Sequence, residues 1–262
     1  MPTPDQSAPP ERGPGLAPLE FWLLRVPEQE VGALAPALAL DELDRDERTR
    51  AAAFVREADR VRYAAAHIAL RRLLGAATGT PARDLVLVRE PCPCCGKPHG
   101  RPALALPSGA EPGRRPPHFS LSHGGDLVLI GLASAPIGVD VEALPEPRVV
   151  DDLATVLHPA ERQELDAVPT VRRAAAFARL WTRKEAYLKG LGTGLGRDPS
   201  ADYLGSTGLA PTPPGWTVAD LDLDPDEARG HAAAFAVQGA PTAPVRLRRL
   251  TVDAVRGSGA PG

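Results

Sequence analysis

Alternating hydrophobic and polar positions predict a strand with two acidic side chains on one face. In the segment Ile137–Glu142 (IGVDVE) the aliphatic residues face one way, while Asp140 and Glu142 face the other. Two residues along a strand span roughly 6–7 Å, so both carboxylates can reach one small cation. The alternative is a half-exposed strand whose polar face is acidic without a ligand.

A helical pattern from Val171 to Lys189 carries charges on its apolar face. Apolar residues recur at helical spacing on both sides of Lys184 and Glu185. Because burying an unpaired charge is costly, we expect these two side chains to meet a metal, a phosphate or each other. The helix then enters a glycine-rich segment, where Gly190 or Gly192 can form a left-handed cap.

The same two periodicities predict the remaining elements. Another long helix is expected over 59–74, and shorter helices over 41–56 and 158–166. Strands are expected over 20–27, 85–88, 127–132, 216–223, 232–237 and 245–252. The ends of the chain, residues 1–18 and 254–262, are rich in proline, glycine or polar residues, and we predict that they are disordered.

Composition removes several classes of function. The formal net charge of −3 gives no reason to expect a nucleic acid or an anionic membrane as partner. The chain contains no run of eighteen or more apolar residues, and its N-terminus lacks the pattern of a secretion signal. We therefore expect a cytoplasmic protein.

The three cysteines of the chain lie close to one histidine. Cys92, Cys94, Cys95 and His99 fit a zinc site in residue type. A structural zinc site usually takes four ligands and often gathers them from two separated pairs, whereas these four residues lie in one short segment. A turn-rich loop that carries thiols is therefore the favoured interpretation. A zinc-dependent interaction protein built on this segment is the competing hypothesis.

Three motifs, in this order, resemble those of the 4'-phosphopantetheinyl transferases. They are FSLSH at Phe119–His123, IGVDVE, and WTRKEAYLK at Trp181–Lys189 with the glycine-rich segment that follows. The similarity extends over about residues 50–250 and is to the two-lobed, monomeric branch that includes the surfactin-synthetase-activating enzyme. It implies an α+β fold of two pseudo-symmetric lobes, residues 19–135 and 136–253. Each lobe would be a small, mostly antiparallel sheet packed on a long helix, with the active site in the cleft between them.

The resemblance also implies a reaction. The 4'-phosphopantetheine group of coenzyme A would be transferred to a serine of an acyl or peptidyl carrier protein, giving the holo carrier and 3',5'-ADP. Mg²⁺, or Mn²⁺ in its place, would assist. The alternative is a non-catalytic module of the same fold that binds a carrier protein or a nucleotide. The motifs leave the carrier, the pathway and the use of acylated coenzyme A open.

The resemblance assigns roles to individual residues. Asp140, Glu142 and Glu185 would bind the metal, and Glu185 and Lys189 would be catalytic, with Glu185 as the base. Contacts to coenzyme A would come from Arg50, Arg62, Arg101, Ser122, His123, Lys184 and Lys189. Exposed helix charge remains the alternative for Arg50 and Arg62, and an i,i+4 surface pair with Glu185 for Lys189.

Two departures from the family pattern bear on these assignments. Ser120 stands where the family often has asparagine. The family's Gly-Lys-Pro signature could correspond to Gly96-Lys97-Pro98 or to Gly100-Arg101-Pro102. We prefer the segment with Arg101, because the segment with the cysteines is then an insertion in the family pattern. Basic residues that could meet an acidic carrier are Arg148, Arg162 and Arg183.

Overall fold

The computed structural model describes residues 19–105, 115–205, 213–241 and 245–257, so the predicted disordered segment 1–18 and residues 258–262 lie outside it. The strands are β1 (Glu20–Arg25), β2 (Leu87–Arg89), β3 (Pro102–Leu104), β4 (His118–Gly124), β5 (Leu127–Ala133), β6 (Ile137–Ala143), β7 (Trp216–Asp220), β8 (His231–Gln238) and β9 (Arg246–Leu250). The α-helices are α1 (Glu28–Leu34), α2 (Arg45–Ala52), α3 (Glu57–Thr78), α4 (Val150–Ala154), α5 (Pro159–Asp166), α6 (Thr170–Leu191) and α7 (Pro225–Ala228).

A four-stranded sheet in the order β4-β5-β1-β9 forms the centre of the molecule. Alternate residues of β1 face opposite sides, as the geometry of a strand requires. Trp22 and Leu24 pack with Ile68 of α3 on one face. On the other face, Phe21 and Leu23 pack against a second sheet, which contains β6 and β8. The sheet is thus covered on both faces, which explains the continuous apolar run of β5.

A three-stranded antiparallel sheet, in the order β6-β8-β7, covers the second face. Val139 and Phe235 point toward the first sheet, while Ala234 points away and packs with Ala186 of α6. The layers therefore stack as α3, first sheet, second sheet and α6. Both outer helices contain 22 residues.

This arrangement confirms the predicted α+β class. The last strand does not follow the predicted division of the chain, because β9 pairs in parallel with β1 in the first sheet. The division at 135/136 stays a prediction. Among the described residues, no helix has both the length and the apolar content to cross a membrane.

The prediction of disorder from residue 254 onward is wrong for residues 254–257. A 3-10 turn spans Val252–Val255, and Val255 is buried in the core beneath α3. Arg72 of α3 donates hydrogen bonds to the carbonyl oxygens of Ala254 and Arg256, at 2.9 and 2.8 Å. Burial of one valine and capping of two carbonyl groups fix this segment, which local composition alone did not indicate.

Candidate active site

Two glycines allow β4, β6 and α6 to meet at one point. A Cβ atom on Gly138 of β6 would lie 1.9 Å from the carbonyl oxygen of Ala186 in α6. A Cβ atom on Gly124 of β4 would lie 2.4 Å from the carbonyl oxygen of Val141 in β6. Only glycine permits backbones to approach this closely. The polar side chains of the three elements consequently converge.

Asp140 is the centre of this convergence. Its side chain is buried, and Oδ1 accepts hydrogen bonds from Ser122 Oγ at 2.7 Å and from Lys189 Nζ at 2.6 Å. Lys189 Nζ also lies 2.9 Å from Ser122 Oγ. The second oxygen, Oδ2, is buried and has no hydrogen-bond partner within the described part of the chain. Since a buried carboxylate oxygen is costly to leave unpaired, Asp140 has a place for one further ligand.

Two more carboxylates flank Asp140. Burial, followed by the negative charges of Asp140 and Glu185, raises the pKa of Glu142 to about 7, against the opposing effect of Lys189. Burial also raises the pKa of Glu185, where Lys189 opposes and Asp140 adds to the shift. One lysine therefore faces three carboxylates that repel one another.

The donor set fits a hard divalent cation such as Mg²⁺. All three side chains offer oxygen ligands, and a cation would relieve both their repulsion and the unpaired Oδ2. The three carboxylates are not among the groups of described residues whose ligand atoms all lie within 4.8 Å of one another. They are spaced more widely than the ligands of a closed site.

Lys189 does not form the i,i+4 surface pair that was considered as its alternative. Its ammonium group pairs with Asp140, which belongs to another element, and 31% of the side chain is exposed. The Lys189 side chain thus extends from the buried Asp140 to the solvent.

Lys184, which was predicted to contact phosphate, lies elsewhere, and its charge is paired within the protein. Its side chain is buried, and Nζ donates to Glu161 Oε1 of α5 at 2.9 Å and to the carbonyl oxygen of Asp202 at 2.7 Å. Burial lowers the pKa of Lys184, while Glu161 opposes that shift. The expectation that this charge needs a partner holds, but the partner is a carboxylate on a neighbouring helix. Glu161 was recognisable only as an acid in the first turn of that helix.

A cleft of about 1010 Å³ begins beside Lys189. It lies between α2 and α3 on one side and the end of α6 with residues 192–196 on the other. Leu70, Phe119 and Leu121 give it an apolar floor. The basic side chains that line it are those of Arg50, His67, Arg89, His99, Arg101, His123 and Lys189.

The predicted coenzyme A contacts fall into two groups. Arg50, Arg101 and His123 line the cleft, whereas Arg62 does not. Arg62 instead donates to the carbonyl oxygen of Val26 at 3.0 Å and to Glu28 at 2.9 Å, so it ties α3 to the start of α1. The helix thus turns the Arg62 side chain away from the cleft, and its contact with coenzyme A stays a prediction that this position does not support.

Arg101 holds the end of α6 in place. Its guanidinium donates to the carbonyl oxygen of Gly190 at 2.8 Å and pairs with Glu90 at 2.8 Å. Burial and the charge of Lys189 lower the pKa of His123. Of the two candidate basic segments, the one with Arg101 lies at the cleft, and Lys97 is exposed in a turn.

Sequence reasoning missed the wall formed by α3. Tyr63 and His67 both line the cleft, and their rings stack with centroids 4.2 Å apart. His67 Nδ1 also lies 2.9 Å from Glu47. Two polar aromatic residues four positions apart on an apolar helix were the available signal.

The candidate carrier contacts also differ in position. Arg183 is buried and bonded to Asp220 at 2.6 Å, so it cannot meet a partner. Arg148 and Arg162 are exposed.

Comparisons with known proteins agree with the motifs. The family model of the 4'-phosphopantetheinyl transferase superfamily matches residues 136–226, which include the three carboxylates and α6. A putative 4'-phosphopantetheinyl transferase of Synechocystis is 31% identical over 178 residues, which cover 67% of this chain and 65% of the relative. The chain thus spans slightly less than two thirds of that relative.

Other relatives extend the match. The 4'-phosphopantetheinyl transferase HetI of Nostoc is 32% identical over 219 residues, 81% of this chain and 84% of HetI. The 4'-phosphopantetheinyl transferase psf-1 of Bacillus pumilus is 37% identical over 78 residues, 30% of this chain and 33% of psf-1. The family predicted from the sequence is confirmed: this chain belongs to the 4'-phosphopantetheinyl transferase superfamily.

Proposed function

We propose that this protein transfers the 4'-phosphopantetheine group from coenzyme A to a serine hydroxyl of an acyl or peptidyl carrier protein. The observation that carries the proposal is the buried Asp140, with one oxygen unpaired, two carboxylates beside it and Lys189 at the edge of the cleft. At about 1010 Å³, the cleft is at the upper end of the range for small-molecule sites, as a large nucleotide requires.

The transfer exchanges one phosphorus–oxygen bond for another. The serine oxygen attacks the phosphorus next to pantetheine, and the bond from that phosphorus to the bridging oxygen of the diphosphate breaks. The leaving 3',5'-ADP takes the electron pair, and the serine gives up its proton. Phosphoryl transfer of this kind depends mainly on positioning and on stabilising charge.

Residues of the site provide these functions. Glu185 accepts the serine proton, directly or through water, because its partly buried carboxylate lies beside Asp140 and Lys189, at the edge of the cleft. Lys189, held by Asp140 and Ser122, places a positive charge beside the diphosphate. Mg²⁺, or Mn²⁺, held by Asp140, Glu142 and Glu185 would neutralise phosphate charge that builds up as the bond breaks.

Cleft residues are proposed to bind the nucleotide part. Arg50 and His123 lie on the wall formed by the first sheet and its helices, and Arg101 lies opposite, next to the end of α6. Ser122 contributes indirectly, since its hydroxyl holds Lys189. The active site would then lie between two pseudo-symmetric lobes, and the chain would act as a monomer.

Intact-mass analysis of an apo carrier domain tests the proposal. With the protein, coenzyme A and Mg²⁺, the carrier should gain about 340 Da, the mass of phosphopantetheine added to a serine. Asp140→Ala and Glu185→Ala should abolish the gain, and Glu146→Gln, an exposed control, should not. No gain on several carriers, with coenzyme A still bound, would favour the non-catalytic binding module instead.

A further inference from the structure

The hairpin formed by β2 and β3 ends in a tight turn that gathers sulfur and nitrogen ligands. The backbone N–H of Cys92 donates to the carbonyl oxygen of Lys97, and that of Gly96 donates to the carbonyl oxygen of Cys92, both at 2.8 Å. Gly96 has a φ of +72°, a left-handed conformation that glycine adopts at little cost. The turn therefore folds Cys92 and Cys95 back toward each other.

His99 completes the group from the segment that leads back into β3. One ligand atom from each of Cys92, Cys95 and His99 lies within 4.8 Å of the other two. This is the one such trio of histidine, cysteine or acidic side chains found among the described ranges. Cys95 Sγ lies 3.0 Å from His99 Nε2, and all three cysteines of the chain are free thiols.

We propose that Cys92, Cys95 and His99 bind a zinc ion. Zinc has bond lengths of about 2.3 Å to sulfur and about 2.0–2.1 Å to nitrogen, which in a tetrahedron separate neighbouring ligands by about 3.5–3.8 Å. The Cys95–His99 pair, at 3.0 Å, is tighter than this, and an opening of about half an ångström between these two atoms accommodates the ion, while the other ligand pairs lie within 4.8 Å. Two thiolates with one imidazole favour zinc over magnesium or calcium, which prefer oxygen ligands.

Three protein ligands leave the fourth position of zinc to a water molecule. Cys94 does not belong to the trio, although it stands between two of its members. Cys94 therefore serves as a matched control, since it is an exposed thiol of the same turn that is not among the proposed ligands.

The proposed zinc site differs from the metal-free, turn-rich loop that the sequence favours, because strand pairing brings the ligands together. Ligands from one short segment cannot usually surround an ion, but the hairpin brings its two strands side by side. Gly100 N–H donates to the carbonyl oxygen of Glu90 at 2.9 Å, which places His99 across from Cys92. The sequence pattern contained the ligands but not this pairing.

The proposed ion would stabilise the hairpin that reaches the end of α6. His99 and Arg101 line the cleft, and Arg101 donates to the carbonyl oxygen of Gly190. A zinc ion beside His99 would thus fix the part of the hairpin from which Arg101 extends. An effect on coenzyme A binding rests on the function proposed above, whereas zinc binding itself does not.

Metal content and cobalt spectroscopy test the site without substrate. Protein purified without chelators should contain about one equivalent of zinc per chain. After replacement by Co²⁺, it should show thiolate-to-metal charge transfer and the intense visible bands of four-coordinate cobalt. Cys95→Ser and His99→Ala should lose both signals, and Cys94→Ser should keep them.

Thermal unfolding distinguishes loss of the metal from loss of the fold. In buffer without Mg²⁺, a zinc-selective chelator should lower the Tm of the wild-type protein and of Cys94→Ser, and it should leave the Tm of Cys95→Ser unchanged, because only a bound ion adds stability. Zinc content that survives Cys95→Ser, a six-coordinate cobalt spectrum, or equal loss in Cys94→Ser would overturn the assignment. A protein that lacks transferase activity but passes these tests would contradict only the proposed function.

Discussion

Replacing Glu142 by glutamine should stabilise the metal-free protein while it removes activity. The folded protein raises the pKa of Glu142 to about 7 from an ordinary value of 4.5, with burial as the first cause and Asp140 as the second. Between pH 4.5 and pH 7, the carboxyl group of Glu142 therefore holds its proton more tightly in the folded protein than in the unfolded chain. Stability is consequently lost as the pH rises through this window, and the loss is complete above pH 7.

The size of the effect follows from the shift. Each pKa unit corresponds to about 1.4 kcal/mol, which gives an upper limit of about 3.5 kcal/mol. Glu142 is only partly buried, and solvent screens its interactions, so we expect about 1–2 kcal/mol. Glutamine is uncharged at every pH and removes this penalty.

Urea unfolding in EDTA measures the difference. Glu142→Gln should be more stable than the wild-type protein by about 1–2 kcal/mol at pH 8 and of nearly equal stability at pH 4.5. Glu146→Gln, whose carboxylate is exposed beside Arg148, should change little at either pH. A Glu142→Gln protein that is less stable at pH 8 would refute the argument that the carboxylates repel one another without a metal.

Three further changes test the packing and the charges around the site. Lys184→Met should cost about 3–5 kcal/mol in urea unfolding, because it leaves the buried carboxylate of Glu161 without its opposite charge, and normal stability would mean that the pair is not structural. Gly138→Ala should lower the Tm strongly since its Cβ would overlap the backbone of α6, whereas Gly32→Ala, which meets no atom within 4 Å, should not lower it. Lys189→Ala should reduce the transfer rate about 10²–10³-fold in the carrier mass assay, and an unchanged rate would exclude a role for its charge.

Much of the fold was predictable because periodicity and burial agree. The apolar run of β5 and the alternation of β6 correspond to strands at the predicted places, and both long helices appear. The pairing of β9 with β1 could not be foreseen, since hydrogen bonding between strands far apart in sequence leaves no local pattern. The order at Val255 has the same cause, a contact with distant α3.

The sequence could predict the relative positions of those site residues that lie on the same strand or helix. Asp140 and Glu142 follow from strand alternation, and the meeting of β6 with α6 depends on Gly138. Adjacent helix positions such as 184 and 185 point about 100° apart, so they need not serve one site. Lys184 accordingly pairs with Glu161, and Glu185 faces Asp140. No local pattern distinguishes these two directions.

Electron paramagnetic resonance of Mn²⁺ tests the central claim, that Asp140 and its neighbours bind a divalent cation together with coenzyme A. Coenzyme A is used at a concentration that by itself leaves the signal of free Mn²⁺ intact. Addition of the wild-type protein should then remove this signal, while Asp140→Asn, which keeps the shape of the side chain but loses its charge, should leave it. Equal loss of the signal with both proteins would contradict the account.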